Sequence, residues 1–427
     1  MKYRLILLTL TYLLILEVNG QELLTVDACR ELAIENNAKI KIANNQVRSS
    51  EENAKAKSRD FYPVITGDGN YKFLADPVSI ELDGQRFTGT EHIYGLGLTV
   101  RQNVYSGGRV QLNSENAKFE ENIAGNNLAL TTDQLLFRTE MAYWKAIWSK
   151  EAFNIANQYK NLLDTLVQVI TDKVETGLVP KNDQLMAEVR QNEAELLIFK
   201  SRTMHEVGLM ELNRIIGNEI SRNISVESSI IYADYSLPTM TTIDQVLVER
   251  PEVSIKKDMI GISENKINLT KSNYSPQVLV NLRPIWGAPN TDLMDSDPIF
   301  NAAAYASITM PLVQWGKRRY EVGAQKFNYE SSLLELEDLQ DQISLEVSSA
   351  YYQLRESIER IKLTEASQQK AQENYELIED RYLEGLSPII ELLDAQYSWL
   401  MAYNSVLDSR LNYLIVLSEY KRVIGQI

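Results

Sequence analysis

The sequence predicts a mostly α-helical chain that carries four β-strands and arose by duplication of one long helical hairpin. Two stretches, 109–176 and 317–384, contain no proline, and each could form a helix of roughly 100 Å at about 1.5 Å per residue. Segments of alternating apolar and polar residues precede both stretches, which indicates strands. The same motifs recur about 208 residues further along the chain, and such a constant offset fixes the architecture.

The duplication divides the chain into two repeats. The repeated positions of the first half are Val100, Val104, Gly108, Ala142, Tyr143, Gly177, Leu178, Pro180, Leu185 and Ala187. Their counterparts are Ile308, Leu312, Gly316, Ala350, Tyr351, Gly385, Leu386, Pro388, Leu393 and Ala395. We therefore predict a first repeat at 21–217, an inter-repeat segment at 218–243 and a second repeat at 244–427.

Residues 1–20 are predicted to be a signal peptide. Lys2 and Arg4 precede an apolar run from Leu5 to Leu16, which is the pattern of a secretory signal. Cys29 is the only cysteine, so an intrachain disulfide is excluded. Lipidation of Cys29 is not favoured, because this residue lies far beyond the apolar run.

The composition limits the classes of function. A net charge of −15 argues against nucleic acid as a partner. Because no Cys or His cluster has the spacing of metal ligands, we predict no metal, no cofactor and no enzymatic activity. No later stretch reaches the ~20 apolar residues of a membrane helix. An exported chain of this kind could cross a membrane only as a β-barrel, since only helices and closed barrels satisfy their backbone groups in lipid.

Each repeat is predicted to begin with a polar helix that ends at a proline. The helix Val26–Arg59 stops before Pro63, and the helix Asp244–Lys271 stops before Pro276, because a residue that precedes proline disfavours the α region. Two hairpins complete each repeat, namely the β-hairpins 63–104 and 276–312 and the helical hairpins 105–217 and 313–427.

The predicted strands alternate in character. Tyr94, Leu96 and Leu98 alternate with Gly95 and Gly97. This pattern is typical of membrane strands around a wet lumen, and a half-buried soluble sheet shows the same alternation. Four strands cannot close a barrel, for which about eight is the practical minimum. A membrane sheet would therefore need further copies of the chain, and three copies would supply twelve strands.

The long helices carry coiled-coil spacing. Leu393, Leu400, Leu407 and Leu414 are each seven residues apart. One duplicated pair of hairpins cannot bury such apolar seams alone. The spacing therefore predicts that the helices pack against partner chains.

Together these motifs resemble the TolC-like outer-membrane efflux proteins. The segments that carry the resemblance are Gln102–Arg109, Ala142–Trp144, Gly177–Asp183, Met310–Lys317, Ala350–Tyr352 and Tyr382–Ala395. With their order and duplication, the resemblance covers essentially the whole mature chain. It implies a homotrimer whose twelve-stranded β-barrel lies in the outer-membrane lipid of a Gram-negative cell. It also implies a helical tunnel, or α-barrel, across the periplasm.

The resemblance implies that the turns between the long helices dock a periplasmic adaptor. The segments that match the family's tip motif are Gly177-Leu178-Val179 and Gly385-Leu386-Ser387. Glycine permits the tight turn, and Leu178, Val179 and Leu386 would present an apolar surface. A plain helical turn without a partner is the alternative.

The resemblance also implies a constriction inside these tips. Glu391 and Asp394 share one helix face, and three copies would form two rings of carboxylates that favour cations. A solvated helix face is the alternative. Tyr382 matches a tyrosine, and Asp183 its acidic partner, in the links that hold the tip closed. Ser387 stands where some relatives carry arginine, so one closing link is missing from this chain.

The function implied is an outer-membrane exit duct of a tripartite efflux or type I secretion system. It would work with a periplasmic adaptor (membrane fusion) protein and an inner-membrane pump of the RND, ABC or MFS type. The sequence identifies neither the pump class nor the exported substrate. The alternative function is a secreted structural coiled-coil protein without a pore.

Overall fold

The computed structural model describes residues 22–227, 235–288 and 297–427. The predicted signal peptide, 1–20, lies outside the described residues. The chain forms two compact units. Unit 1 contains the described residues of Met1–Ile42, Ala129–Arg250 and Asp341–Ile427, and unit 2 contains those of Ala43–Leu128 and Pro251–Gln340. Each unit therefore takes residues from both sequence repeats.

The described residues form eight α-helices and eight strands. The helices are α1 (Val26–Asn36), α2 (Ala38–Arg59), α3 (Arg109–Glu175), α4 (Lys181–Ile216), α5 (Ile243–Glu249), α6 (Pro251–Ser272), α7 (Lys317–Leu383) and α8 (Ile389–Val423). The strands are β1 (Glu22–Leu24), β2 (Val64–Phe73), β3 (Ser79–Leu82), β4 (Gln85–Thr88), β5 (His92–Tyr105), β6 (Ile224–Val226), β7 (Gln277–Ala288) and β8 (Ile299–Thr309). The two uninterrupted long helices, α3 and α7, have 67 residues each, as the absence of proline predicts.

The first helix of each repeat is interrupted where a continuous helix was predicted. At Asn37 the backbone is extended, with φ −66° and ψ 130°. The Asn37 side-chain amide donates to the carbonyl of Ile215 at 2.8 Å, while its oxygen accepts from the backbone N–H of Lys39 at 2.9 Å. At Arg250 the backbone is also extended, because Pro251 follows. The prediction of single helices at Val26–Arg59 and Asp244–Lys271 is therefore wrong at these two points.

Unit 2 contains a four-stranded antiparallel sheet in the order β2-β5-β7-β8. The central pair, β5 and β7, joins the two repeats, and Gly95 faces Gly287 across it. A side chain at Gly287 would place its Cβ 2.3 Å from the carbonyl oxygen of Tyr94, so the close approach of these strands requires glycine. Strands β2 and β8 form the two edges of the sheet.

A small hairpin that the sequence analysis did not predict joins β3 to β4. Its turn is Asp83-Gly84, and both residues have positive φ, at 48° and 77°. This is the geometry of a type I′ turn, for which Asp-Gly is a strong signal. The predicted β-hairpin 63–104 therefore contains four strands rather than two.

In unit 1, helices α3 and α8 pack together, and α1 and β1 cover one face of α3. The Trp148 indole donates to Asp408 at 2.8 Å between α3 and α8. The buried carboxylate of Glu140 accepts from Arg30 of α1 at 2.9 Å. The Tyr143 hydroxyl donates to a β1 carbonyl at 3.3 Å. The heptad leucines of α8 are all buried, which confirms the coiled-coil spacing; they are Leu393, Leu400, Leu407 and Leu414.

Two helices of unit 1 leave apolar side chains uncovered. The α7 stripe consists of residues that lie on one face of the helix and are between 58% and 71% exposed, namely Leu345, Tyr352, Leu363 and Leu377. The α4 stripe consists of residues that are between 50% and 58% exposed, namely Leu185, Val189, Leu196, Phe199 and Val207. Both stripes repeat at spacings of a helix face.

Candidate functional site

The two turns that join the long helices have the same backbone geometry. Gly177 and Gly385 adopt left-handed conformations, with φ of +73° and +77°. The N–H of Leu178 donates to the carbonyl of Lys173 at 2.8 Å, and the N–H of Leu386 donates to that of Arg381, also at 2.8 Å. This bond is that of a Schellman cap, in which glycine lets the chain leave the helix. A proline then precedes each return helix as its N-cap residue. We call Gly177–Val179 the first tip and Gly385–Ser387 the second tip.

The tips present apolar side chains to solvent. Leu178 is 74% exposed and Leu386 is 65% exposed. Val179 is half-buried, whereas Ser387 is buried. The first tip is therefore apolar at both positions after glycine, while the second tip has one exposed leucine followed by an enclosed hydroxyl.

The predicted carboxylates lie just after the second tip, on α8. The Ser387 hydroxyl donates to Glu391 at 2.6 Å. Glu391 and Asp394 are both exposed, and they occupy adjacent turns of one helix face. Ser387 thus holds the first of the two carboxylates.

Arg190 of α4 lies near the second carboxylate, a neighbour that the sequence analysis missed. Its guanidinium carbon is 5.7 Å from the centroid of the Tyr397 ring on α8. The pKa of Arg190 is raised, chiefly by its hydrogen bond to Glu193, and the charge of Asp394 adds to this effect. The position of Arg190 beside α8 depends on the packing of helices far apart in sequence, so no local sequence signal indicates it.

Tyr382 lies buried at the end of α7. Within the described residues its hydroxyl has no hydrogen-bond partner. The ammonium of Lys173, at the end of α3, lies 4.7 Å from the centroid of its ring. Burial, and then the charge of Asp183, raise the pKa of the Tyr382 phenol. The Asp183 carboxylate thus lies close enough to Tyr382 to raise its pKa, although no hydrogen bond joins the two residues. Lys173 is a contact that the sequence analysis missed.

In the described ranges, no group of three or more His, Cys, Asp or Glu side chains is placed to hold a metal ion. None of the helices in the described part of the chain combines the length and the apolar character that crossing a membrane requires.

The sequence is similar to known outer-membrane proteins. A model of the family described as outer membrane efflux protein matches residues 29–218 and 242–426. Outer membrane protein TolC of Escherichia coli (strain K12) is 21% identical over 320 residues, which cover 72% of this chain and 65% of that protein. TolC of Salmonella enteritidis is 21% identical over 322 residues and 64% of its length. The match thus spans slightly less than two thirds of these curated relatives.

The fold is similar to that of solved outer-membrane channels. The Campylobacter jejuni CmeC outer membrane channel superposes with a TM-score of 0.82 at 15% identity, over 94% of this chain and 85% of that one. The open state of the Neisseria gonorrhoeae MtrE outer membrane channel gives a TM-score of 0.78 at 17% identity, over 94% and 88% of the two chains. At these identities the likeness establishes the fold.

Proposed function

The chain belongs to the outer membrane efflux protein family, and on that basis we propose that it forms the exit duct of a tripartite efflux or type I secretion system. It would conduct substrates passively from an inner-membrane pump across the periplasm and the outer membrane. The predicted family, the mostly helical fold and the outer-membrane localisation agree with the family match and with the similar channels. The alternative of a secreted coiled-coil protein is not favoured, because the family model matches both repeats.

The proposal rests on surfaces of the helices and strands that pack against nothing in the described part of the protomer. The α4 stripe and the α7 stripe expose more apolar side chains than a monomer in water normally shows in one row. The edge strands β2 and β8 leave one row of backbone groups without a partner strand in the described sheet. In a homotrimer, the apolar stripes of neighbouring protomers would pack on each other, and β2 of one protomer would pair with β8 of the next. These contacts would close the sheet and the helical wall.

In such a trimer the carboxylates after the second tip would form the constriction. Three copies of Glu391 and of Asp394 make two stacked rings of negative charge, which attract cations and repel anions. The hydrogen bond from Ser387 fixes the direction of the Glu391 carboxylate. The nearby guanidinium of Arg190 reduces the negative potential at Asp394, so Glu391 would contribute more to selectivity.

Closure and docking would use the remaining tip residues. Tyr382, packed beneath Lys173 and near the charge of Asp183, would hold α3 and α7 together in the closed tip. Leu178, Val179 and Leu386 would contact a periplasmic adaptor. An adaptor that binds the open arrangement more tightly would shift the tip towards opening.

Ion conductance in a planar bilayer tests the duct and its constriction. The purified protein is expected to give small, cation-selective steps. The double substitution Glu391→Ala and Asp394→Ala is expected to increase the conductance and to reduce the cation selectivity. A control that removes two exposed carboxylates elsewhere, Glu195→Ala and Glu337→Ala, should leave the selectivity unchanged.

Two outcomes would count against these assignments. Protein that is recovered in the membrane fraction as a trimer but conducts no ions would contradict the duct. Equal changes of selectivity in the two double variants would contradict a constriction at Glu391 and Asp394. Docking is tested separately, because Leu178→Ser and Leu386→Ser should abolish co-purification with the adaptor while conductance persists.

A further inference from the structure

Unit 1 contains a cavity of about 460 Å³ among helices α3, α4 and α8. Its floor is apolar, with Leu135, Ala142 and Ile215 buried and with Met141 and Trp148 half-buried. Leu411 and Ile415 of α8 close one side. The volume falls in the range of small-molecule sites, roughly 300–1,000 Å³.

The rim of this cavity is cationic. Lys39, Arg138, Lys145 and Arg214 line it, and Glu211 is the one carboxylate among its lining residues. Glu211 lies 3.7 Å from the ammonium of Lys145. The other three cations form no ion pair with any residue that the structure describes. In a chain with a net charge of −15, this is a local reversal of sign around an apolar floor.

On α3 the cavity lies away from the face that packs on β1, and Asn37, the residue that follows α1, lines one end of it. Met141 and Lys145 each lie two residues from Tyr143, the residue that bonds to β1, so they point about 160° away from it. Leu411 and Ile415 are placed in the same way around Tyr413, whose hydroxyl donates to the carbonyl of Ser236 at 3.0 Å. The cavity residues of α3 and α8 therefore lie on the faces opposite Tyr143 and Tyr413.

We propose that this cavity binds a small amphipathic carboxylate, with its apolar body on the floor and its anionic head at the rim. Charge complementarity selects the occupant, because four cations line a site whose lining includes one acid, Glu211, and this acid already pairs with Lys145. The guanidinium groups of Arg138 and Arg214 can each donate paired N–H hydrogen bonds to a carboxylate. The Trp148 ring offers a flat apolar wall for the body of the ligand.

The site requires only the fold of unit 1, whereas its place in the duct rests on the proposed function. Ile415 follows Asp394 by three heptads on α8, so both lie on one side of that helix. In the proposed trimer each protomer would then carry one anion-binding recess in a wall whose tip favours cations.

Fluorescence provides the test, because Trp148 lines the cavity. The trimer, held in nanodiscs of neutral lipid, is titrated with dansyl-undecanoate, and energy transfer from tryptophan to dansyl is recorded. Binding is expected to saturate at one probe per protomer. The uncharged methyl ester of the probe should bind about tenfold more weakly, as should the probe itself to the double variant Arg138→Ala and Arg214→Ala. Met141→Trp, which fills the floor and keeps every charge, should also weaken binding.

A matched control removes two exposed cations of α4 outside the cavity, Lys200→Ala and Arg202→Ala, and should change the affinity by less than about twofold. The inference is overturned if transfer rises without saturation, if acid and ester bind alike, or if the control loses as much affinity as the rim variant. Conductance of the same preparation reports on the duct. Conducting protein without saturable binding refutes the cavity alone, and saturable binding without conductance refutes the duct alone.

Discussion

The two helical hairpins, α3–α4 and α7–α8, share a backbone but differ in what surrounds their tips. Both turn at a glycine with positive φ and close with the same hydrogen bond. At equivalent positions, however, Val174 of the first hairpin corresponds to Tyr382 of the second, and Val179 corresponds to Ser387. The first tip is apolar, while the second tip has a buried phenol beside it and contains a hydroxyl bonded to a carboxylate.

This difference shows that the turn and the chemistry of the tip are specified separately. Glycine sets the conformation in both hairpins, because it alone adopts positive φ without strain. The polar groups that could close a tunnel are concentrated in the second hairpin, and the first hairpin meets them through Lys173, Asp183 and Arg190. Substitutions at equivalent positions should therefore have equal effects where they act on the turn and unequal effects where they act on its surroundings.

The largest difference is expected from truncation of Tyr382. Tyr382→Ala should lower the free energy of unfolding by about 3 kcal/mol, because it removes a buried ring. Val174→Ala, at the equivalent half-buried position, should cost about 1 kcal/mol. Chemical denaturation followed by circular dichroism measures both. Tyr382→Phe keeps the ring and loses only a hydroxyl that has no hydrogen-bond partner among the described residues. A cost comparable to that of Tyr382→Ala would therefore show that the ring is not what matters.

The turns themselves should respond equally. Gly177→Val and Gly385→Val are each expected to cost about 1–2 kcal/mol, since an L-residue is strained at positive φ. An added Cβ meets no atom within 4 Å at either glycine, so the cost is conformational and not steric. Thermal unfolding of the two variants provides the comparison, with Gly125→Ala inside α3 as a control that should stabilise. Costs that differ by more than about 1 kcal/mol would break the equivalence of the turns.

A smaller asymmetry is expected at the cations beside the tips. Lys173→Gln should lower the free energy of unfolding by about 0.5–1 kcal/mol, because it removes the ammonium above the Tyr382 ring. Arg381→Gln, at the equivalent position of the second hairpin, should have no measurable effect. In the Tyr382→Ala background the cost of Lys173→Gln should vanish. A cost that persists in that background would assign the contribution of Lys173 to another contact.

The smallest effect concerns pH. His205 of α4 corresponds to Tyr413 of α8. Burial lowers the pKa of His205 below its ordinary value of 6.5, and the charge of Lys150 acts in the same direction. The folded chain thus binds fewer protons than the unfolded chain near this pH, so stability should be full above pH 6.5 and should decline as the pH falls below it. Unfolding of the parent and of His205→Gln between pH 5 and 8 measures this, and identical pH profiles would exclude His205 as a contributor.

The sequence predicts the regular parts of this fold better than its junctions. The long helices follow from the absence of proline and the tips from glycine, since both signals are local. The interruption before Pro251 and the turn at Asp83-Gly84 also have local signals, which the broader periodic pattern obscured. The interruption at Asn37 has none, because its side chain bonds to a carbonyl 178 residues away.

The candidate site divides in the same way. The positions of Glu391 and Asp394 on one helix face follow from their spacing. The contacts of Lys173 with Tyr382 and of Arg190 with Tyr397 join different helices, so they require the packed structure. The cavity is the extreme case, because its cations come from residues 39, 138, 145 and 214 and form no pattern in the sequence.

The open edges of the four-stranded sheet have a consequence for biogenesis. Nearly every side chain of β2 and β8 is exposed, and each strand offers backbone groups that no described strand pairs to any extended segment that it meets. A newly exported protomer is therefore prone to aggregate until its edges are paired. The time that a protomer spends with open edges depends on how often protomers meet, and slow synthesis lengthens that time. Slow synthesis should therefore favour correct assembly only if another protein covers the edges until pairing occurs. The yield of folded protein should then depend on the supply of such a holding factor more than on the stability of the protomer.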